Sequence, residues 1–507
     1  MLKHSITTKI VAAAIAISVI LSLASCTSGG GFYLTDESLA PGESYTEIIE
    51  NSFISTENEA TSYFSIDANT ASYPNLRSII NRGDTIYKDA VRIEEMLNYF
   101  EYDYAGADGE DILSLTSSVF DNPYNSETKL LSIGLAATEI ELSNVKNNLV
   151  FLIDTSGSMM SSDKLDLIQS AFCLAAENLN PSDRISIVTY AGNEKVALEG
   201  AYGYQTALIK SAIEDLTASG STAGSLGIEK AYEIARQYFI EGGNNRVILA
   251  TDGDFNVGVT DTMQLKNLIS QKRKSGIYFS VYGVGRGNLN SETMETLALA
   301  GNGVYSYIDT KTEAKRVFVE GIGGSFVTVA KDVKAGITFN KNYIDSYRLI
   351  GYENKTITAE EFEDTNTDAG EIGSGHTATI VYEIKLKANA VIENESFADV
   401  IIKYKPTENT GASTEEEKSL TLSVGADAYH EKATDNDLFV ASVIEFALIL
   451  RDSSYKADAD IDKLIARLDG MDFSNYEDRA QFRDLVSVYK EKYVKTTSSS
   501  PFYNFNL

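Results

Sequence analysis

Short apolar runs alternate with amphipathic stretches from Asn148 to about residue 325, and this alternation constrains the fold more than any other feature. The runs "LVFLID", "RISIVTY", "VILAT" and "IYFSVYGVG" each have the length and composition of a buried strand. Helical periodicity follows most of them, as in "SLGIEKAYEIARQYF" and "MQLKNLISQKRKSG". Strands that alternate with helices predict an α/β fold, a doubly wound and mostly parallel sheet covered by helices on both faces.

Strand-type patterns flank this region on both sides. They occur within residues 111–146 and again within 326–428, where Val333, Ala335 and Ile337 share one face. Because short connections favour neighbours, we predict that the two sets of strands pair into one β-sandwich. The doubly wound domain, residues 147–325, would then be an insertion in that β-sandwich-type domain.

The remaining segments are assigned from their patterns. Residues 51–110 contain two short helical patterns and form an N-terminal region. Residues 435–495 are helical in pattern, and their apolar run 438–450 is too short to cross a membrane. We therefore predict a C-terminal helical segment with one buried helix.

The first 25 residues resemble a bacterial lipoprotein signal. Lys3 and Lys9 precede an apolar stretch that ends in "LASC". The resemblance implies cleavage before Cys26, lipid on its sulfur, and a position in the cell envelope outside the cytoplasm. Residues 26–50, rich in Gly, Ser, Thr and Glu, predict a flexible tether. An ordinary signal peptide or an uncleaved anchor is the alternative.

The charge of the chain restricts its partners. It has 73 acidic and 43 basic residues, for a formal net charge of −30. Nucleic acid and anionic lipid both require basic surfaces, so neither is expected as a partner, and membrane contact should occur only through the N-terminal lipid. The chain has only two cysteines and three histidines. This composition argues against a disulfide framework and against a histidine-dependent nucleophile.

A cluster of oxygen-bearing side chains follows the first strand of the doubly wound domain. In "LVFLIDTSGSMM", Asp154, Ser156 and Ser158 come directly after the apolar run. Ligands bind at the carboxyl ends of strands in such sheets. One carboxylate and two hydroxyls suit a hard cation such as Mg²⁺, and the lack of soft ligands argues against zinc or copper.

Two later segments extend this cluster. Thr222 lies in the hydroxyl-rich loop "TASGSTAGSLG", and Asp252 follows the strand "VILAT". Asp-x-Ser-x-Ser, a threonine in a Gly-Ser-Thr loop and an aspartate in Thr-Asp-Gly together resemble the von Willebrand factor A (VWA) domain. The flanks "SYFSIDANTASYPNLRSIINRG" and "DAGEIGSGHTATIVYEI" are similar to a bacterial lipoprotein subfamily of this domain.

The resemblance implies a metal-ion-dependent adhesion site built from Asp154, Ser156, Ser158, Thr222 and Asp252. It would bind Mg²⁺, Mn²⁺ or Ca²⁺ and accept a carboxylate from an unknown partner protein. Three nearby residues are candidates for outer contacts, although turn formation is the favoured explanation for the last two: Ser219, Asp254 and Asn256.

The expected function is a surface-tethered, cation-dependent binding module, and not an enzyme. A metal-assisted hydrolase needs a general base beside the metal-bound water, and the motif offers only the ligands themselves. An envelope-assembly scaffold with a structural metal is the other alternative. "GVGRGNLN" lacks the full spacing of a phosphate-binding loop, so a turn is expected there.

Overall fold

The computed structural model describes residues 43–107, 111–141, 145–220, 224–254, 262–320, 327–388, 390, 396–407, 410 and 416–494. Its N-terminal part contains short strands, helices and a hairpin. These are β1 (Ile54–Ser55), β2 (Thr61–Ser65), α1 (Ser72–Arg82), α2 (Ile93–Asn98), β3 (Leu113–Asp121) and β4 (Lys129–Ala137).

The next part is the doubly wound domain. Its elements are β5 (Asn147–Asp154), α3 (Leu165–Glu177), β6 (Arg184–Ala191), β7 (Asn193–Tyr202), α4 (Thr206–Glu214), α5 (Gly224–Gln237), β8 (Asn244–Thr251), α6 (Thr262–Arg273), β9 (Ile277–Val284), α7 (Ser291–Ala300), β10 (Tyr305–Ile308) and α8 (Lys311–Lys315), which continues as a π-helix over Arg316–Glu320.

The six strands of this domain lie in the order β10-β9-β8-β5-β6-β7. All neighbours are parallel except β6 and β7, which form an antiparallel pair. Strand β5 is buried along its whole length, and separate apolar cores cover the two faces of the sheet. The predicted α/β fold is therefore confirmed, with an antiparallel edge strand that the sequence pattern did not indicate.

The chain then returns to antiparallel structure. Its elements are β11 (Thr328–Phe339), β12 (Ile344–Ile350), α9 (Ala359–Glu363), β13 (Gly370–Gly373), β14 (Thr377–Leu386), β15 (Ala398–Pro406), β16 (Lys418–Val424) and β17 (Tyr429–His430). One sheet has the order β1-β12-β14-β4-β3-β17, and the other has β13-β11-β15-β16 with β2 paired to β11.

The two sets of strands on either side of the doubly wound domain form one sandwich. Residues 129–136 of β4 pair antiparallel with 377–384 of β14. The inner faces of both sheets share one apolar core, to which Ile133, Ile337 and Val400 contribute. The predicted insertion of the doubly wound domain into a β-sandwich is confirmed. Strands β1 and β2, from the N-terminal region, also belong to it.

Three helices close the described chain: α10 (Asp435–Leu450), α11 (Ile461–Asp469) and α12 (Glu477–Tyr489), followed by a π-helix over Lys490–Val494. They share an apolar core with α1 and α2. Helix α10 is buried along most of its length, as predicted from its apolar run. Within the described residues, no helix is both long and apolar enough to cross a membrane.

The start of the described chain is packed on the doubly wound domain. Glu43 accepts hydrogen bonds from Arg286 at 2.7 and 2.9 Å and from the Gly287 N–H at 3.0 Å. Ser44 exchanges backbone hydrogen bonds with Leu289 and Ser291. The prediction of a flexible tether over 26–50 is therefore wrong for residues 43–50, because the ion pair of Glu43 and hydrogen bonds of Ser44, Ile48 and Glu50 hold them on the folded body. Residues 26–42 lie outside the described residues.

A buried ionic group connects the parts of the molecule. Glu295 on α7 lies 3.2 Å from the guanidinium of Arg92 and 2.6 Å from the ammonium of Lys355. Burial alone would raise the pKa of Glu295, but the charges of Lys355 and Arg92 outweigh it and hold that pKa well below its usual range. From the doubly wound domain, one carboxylate thus contacts both the N-terminal region and the sandwich.

We predict that Glu295→Ala lowers the free energy of unfolding by about 1–3 kcal/mol, because Arg92 and Lys355 lose a shared partner while Lys355 keeps Asp67 at 2.8 Å. Urea titration followed by circular dichroism measures it. Lys456→Ala is the control, since it breaks an exposed pair with Asp452 (side chains 42% and 86% exposed) and should cost less than about 1 kcal/mol. Equal stability of the two variants would contradict the connecting role of Glu295.

Candidate functional site

Asp154 is a buried carboxylate at the carboxyl end of the central strand β5. Its Oδ1 accepts a hydrogen bond from the Ser156 N–H at 2.8 Å, and its Oδ2 accepts one from the Thr251 hydroxyl at 3.0 Å. Both donors are neutral. Among the described residues, no lysine, arginine or histidine forms an ion pair with Asp154.

The electrostatic environment of Asp154 disfavours its charge. Burial raises the pKa of Asp154 to about 6, and the nearby charge of Asp252 also raises it, while the hydrogen bonds from Ser156 and Thr251 oppose the shift. A cation beside the two carboxylates would remove this penalty. Asp154 is therefore a buried carboxylate whose charge is not paired with a cationic side chain among the described residues.

Ser156 and Ser158 lie on the turn beyond Asp154, where residues Gly157–Met160 form one turn of 3₁₀-helix. The two hydroxyl groups are hydrogen-bonded to each other, with their oxygens 3.0 Å apart. In octahedral coordination with Mg²⁺–oxygen distances of about 2.1 Å, adjacent ligand oxygens are separated by about 3.0 Å. The spacing of the two hydroxyls therefore fits adjacent positions around Mg²⁺.

Asp252 follows β8, the parallel neighbour of β5. Its Oδ2 accepts hydrogen bonds from the Lys164 ammonium at 2.7 Å and the Asn288 amide at 3.2 Å. The Asp254 N–H donates to Oδ1 at 3.3 Å, which is a turn contact. Gly253 has a φ of 99°, and a Cβ there would come 2.5 Å from the Asn288 carbonyl oxygen. Only glycine allows the two loops to approach so closely.

The loop that carries the predicted threonine approaches the same turn. The Ser219 N–H donates to the Thr155 carbonyl at 2.7 Å, and the Gly157 N–H donates to the Gly220 carbonyl at 3.0 Å. These contacts are made by backbone atoms, so Ser219 supports the loop by its main chain. Thr222 and Asn256 lie outside the described residues.

The oxygen atoms that could bind a cation, called the donor set below, come from side chains that follow the ends of two adjacent strands. Within the described part of the chain, no three side chains of His, Cys, Asp or Glu converge as metal ligands. A metal at Asp154 would therefore rely on hydroxyl oxygens and water as well as on carboxylate. This composition fits Mg²⁺, Mn²⁺ or Ca²⁺ and does not fit zinc or copper.

Three residues of the site were not anticipated from the sequence. The sequence does place Thr251 near the site, because it immediately precedes Asp252 in the Thr-Asp-Gly motif. Lys164 and Asn288 gave no such signal, since they are separated from Asp252 by 88 and 36 positions. Asn288 belongs to "GVGRGNLN", and the structure places that loop between β9 and α7, as the predicted turn requires.

Comparison with protein families agrees with this geometry. The family model for the von Willebrand factor type A domain matches residues 148–320, which include the whole site. The model "Uncharacterized protein YfbK, C-terminal" matches residues 324–491, and a model described as "von Willebrand factor" matches residues 40–132. The chain is a VWA domain protein of the YfbK type. The recognition of the VWA domain from five motif residues is confirmed.

Individual relatives cover parts of the chain. It is 43% identical over 331 residues to the uncharacterized protein YfbK of Escherichia coli, covering 64% of this chain and 58% of that protein. It is 29% identical over 175 residues to the uncharacterized protein sll0103 of Synechocystis, covering 34% of this chain and 40% of that one. The chain thus spans less than two thirds of the length of either relative.

Among solved structures, the von Willebrand factor type A protein from Catenulispora acidiphila is similar at 17% sequence identity with a TM-score of 0.40. The similarity covers 66% of this chain and 78% of that one.

We predict that Asp154→Asn weakens Mn²⁺ binding at least about tenfold, because a charged ligand is lost from a buried site. Asparagine is preferable to alanine, since its side chain can still meet the Ser156 N–H and the Thr251 hydroxyl. Calorimetric titration of Mn²⁺ measures the change, with circular dichroism as the control for folding.

The matched control for this variant is Asp163→Asn. Asp163 is partly exposed and pairs with Arg82 at 2.7 Å, so its substitution removes the same charge outside the donor set. Its Mn²⁺ affinity should stay within about twofold of wild type because solvent screens the exposed charge. Unchanged Mn²⁺ affinity in a folded Asp154→Asn variant would show that these oxygens are not a cation site.

Proposed function

We propose that the VWA domain of this chain binds a divalent cation and, through it, a carboxylate of a partner protein. A VWA domain implies an interaction or adhesion function in general. The finer proposal is supported by one observation: Ser156 and Ser158 place two hydroxyl oxygens 3.0 Å apart beside a buried carboxylate, Asp154, that has no cationic partner among the described residues.

In this proposal Asp154, Ser156, Ser158, Thr222 and Asp252 hold the ion, directly or through water. The bound ion would be Mg²⁺, with Mn²⁺ or Ca²⁺ as substitutes, and it would supply an electrophilic position that an acidic side chain can occupy. Hydroxyl ligands carry no charge, so the ion keeps an attraction for an incoming anion. Partner binding should therefore depend on the cation.

We propose a binding role and not catalysis. Metal-assisted hydrolysis requires a general base beside an activated water. The described side chains that hydrogen-bond to Asp154 or Asp252 are those of Ser156, Lys164, Tyr190, Thr251 and Asn288. None of these is a carboxylate or a histidine, so they offer no ordinary general base. The best supported role for the site is therefore recognition.

A scaffold with a structural metal is the second candidate, and the buried ion pairs between parts of the molecule favour it. Arg77 on α1 lies 2.6 Å from Asp309 and 2.8 Å from Glu313, both in the VWA domain. Such contacts suit a rigid assembly. The two candidates differ in the effect of metal removal, which should abolish partner binding without unfolding for recognition, and should unfold the domain for a scaffold.

The test is capture of envelope proteins on the immobilised chain. Capture should require Mg²⁺, should stop with EDTA, and should return when Mg²⁺ is restored. Wild type and Asp163→Asn should retain the partner, while Asp154→Asn should lose it. Converting the carboxyl groups of the captured proteins to neutral amides should also abolish retention. Capture that survives both EDTA and amidation would contradict the proposal.

We also propose that Cys26 carries a lipid that holds the chain in the cell envelope. Replacing the sulfur with a hydroxyl in Cys26→Ser removes the acceptor, so incorporation of labelled fatty acid should stop and the protein should leave the membrane fraction. Circular dichroism of the released protein should be unchanged. A Cys26→Ser variant that remains fully lipid-labelled would show that the lipid is attached elsewhere.

A further inference from the structure

Lys164 is a buried cation in contact with the candidate site. Its ammonium lies 2.7 Å from Asp252 Oδ2, and only 9% of its side chain is exposed. Within the described residues it is the only side-chain cation paired with either aspartate of the site. Burying the charge of a lysine costs free energy unless the charge is paired. The contact with Asp252 therefore stabilises Lys164 in this position.

The surrounding backbone leaves room for this side chain. Gly285, in the loop after β9, has a φ of 66°, and a Cβ on it would come 2.4 Å from Cγ and 2.5 Å from Cε of Lys164. The lysine stem therefore lies directly on the backbone of Gly285. At its base, the Lys164 N–H donates to the Ser161 carbonyl and its carbonyl accepts from the Ile168 N–H, both at 3.0 Å. Both ends of the side chain are fixed.

The charge of the site follows from these contacts. Asp154 and Asp252 contribute two negative charges, and a divalent cation would cancel them completely. The ammonium of Lys164 adds one positive charge, so the ion and these three side chains together carry a charge of +1. On a chain with a net charge of −30, this is a local excess of positive charge at the point where a partner would bind.

We propose that Lys164 neutralises Asp252 and thereby keeps the bound cation electrophilic, which strengthens binding of an anionic ligand and weakens binding of the cation itself. This role rests on the proposed function. It selects partners that present a carboxylate at the site over neutral ones. Lys164 acts through Asp252 and through its field, so it is a positioning residue and not a ligand of the cation.

The test compares Lys164→Met with wild type. Methionine keeps an unbranched stem that fits against Gly285 and removes the charge. Calorimetric titration with Mn²⁺ alone should give an affinity at least about tenfold higher for the variant, because a repulsive charge is removed from a buried site. Acetate, added to the Mn²⁺-loaded proteins and followed by water-proton relaxation, should displace metal-bound water at several-fold higher concentration in the variant than in wild type.

Two further variants control for folding and for net charge. Lys164→Arg keeps the charge and should keep Mn²⁺ affinity near that of wild type. Lys230→Met removes the same charge from helix α5, where the lysine pairs with exposed Glu233, and should change neither measurement. Folding of each variant is checked by circular dichroism.

The outcomes separate the two proposals. If wild type binds Mn²⁺ and folded Lys164→Met binds Mn²⁺ and acetate as wild type does, the role of Lys164 is wrong and the proposed function stands. If neither protein binds Mn²⁺, the proposed function is wrong, and the role of Lys164 is overturned with it. Tighter Mn²⁺ and weaker acetate binding in Lys164→Met, with Lys164→Arg unchanged, supports the proposal.

Discussion

The buried carboxylate of Glu295 joins three parts of this molecule through one pair of contacts. It lies on α7 of the VWA domain and pairs with Arg92 from the N-terminal region and Lys355 from the sandwich domain. Helix α7 directly follows the loop whose Asn288 contacts Asp252, so fixing the helix also fixes one wall of the candidate site. Architecture and site geometry are connected through this helix and the loop before it.

The N-terminal segment reinforces the same loop from the other side. Glu43 binds Arg286 and the Gly287 N–H, and Ser44 pairs with the backbone on either side of Asn290. The first described residues therefore pack against the loop that carries Asn288.

Much of this could be predicted from local patterns in the sequence. Apolar periodicity indicates which face of each segment is buried against its neighbours. It therefore predicted the doubly wound domain, the sandwich and the buried helix α10. It did not predict β7, whose charged residues Glu194 and Lys195 lie on an exposed edge. Nor did it predict the packing of residues 43–50, which depends on polar contacts with residues far along the chain. The motif gave Asp154 and Asp252 because parallel strands end at one edge of the sheet. The role of Lys164 could not be predicted, because a lysine just before a helix is common in sequences. Its contact with the distant Asp252 is seen only in the structure.

The central claim is that Asp154 and its neighbours bind a divalent cation through oxygen ligands. Crystals grown with Mn²⁺ and measured at the manganese absorption edge test it most directly. The account predicts an anomalous peak within about 2–2.6 Å of the Ser156 and Ser158 hydroxyl oxygens, beside Asp154. A well-diffracting crystal of the folded protein that shows no peak there at saturating Mn²⁺, or a peak only at another place on the molecule, would contradict it.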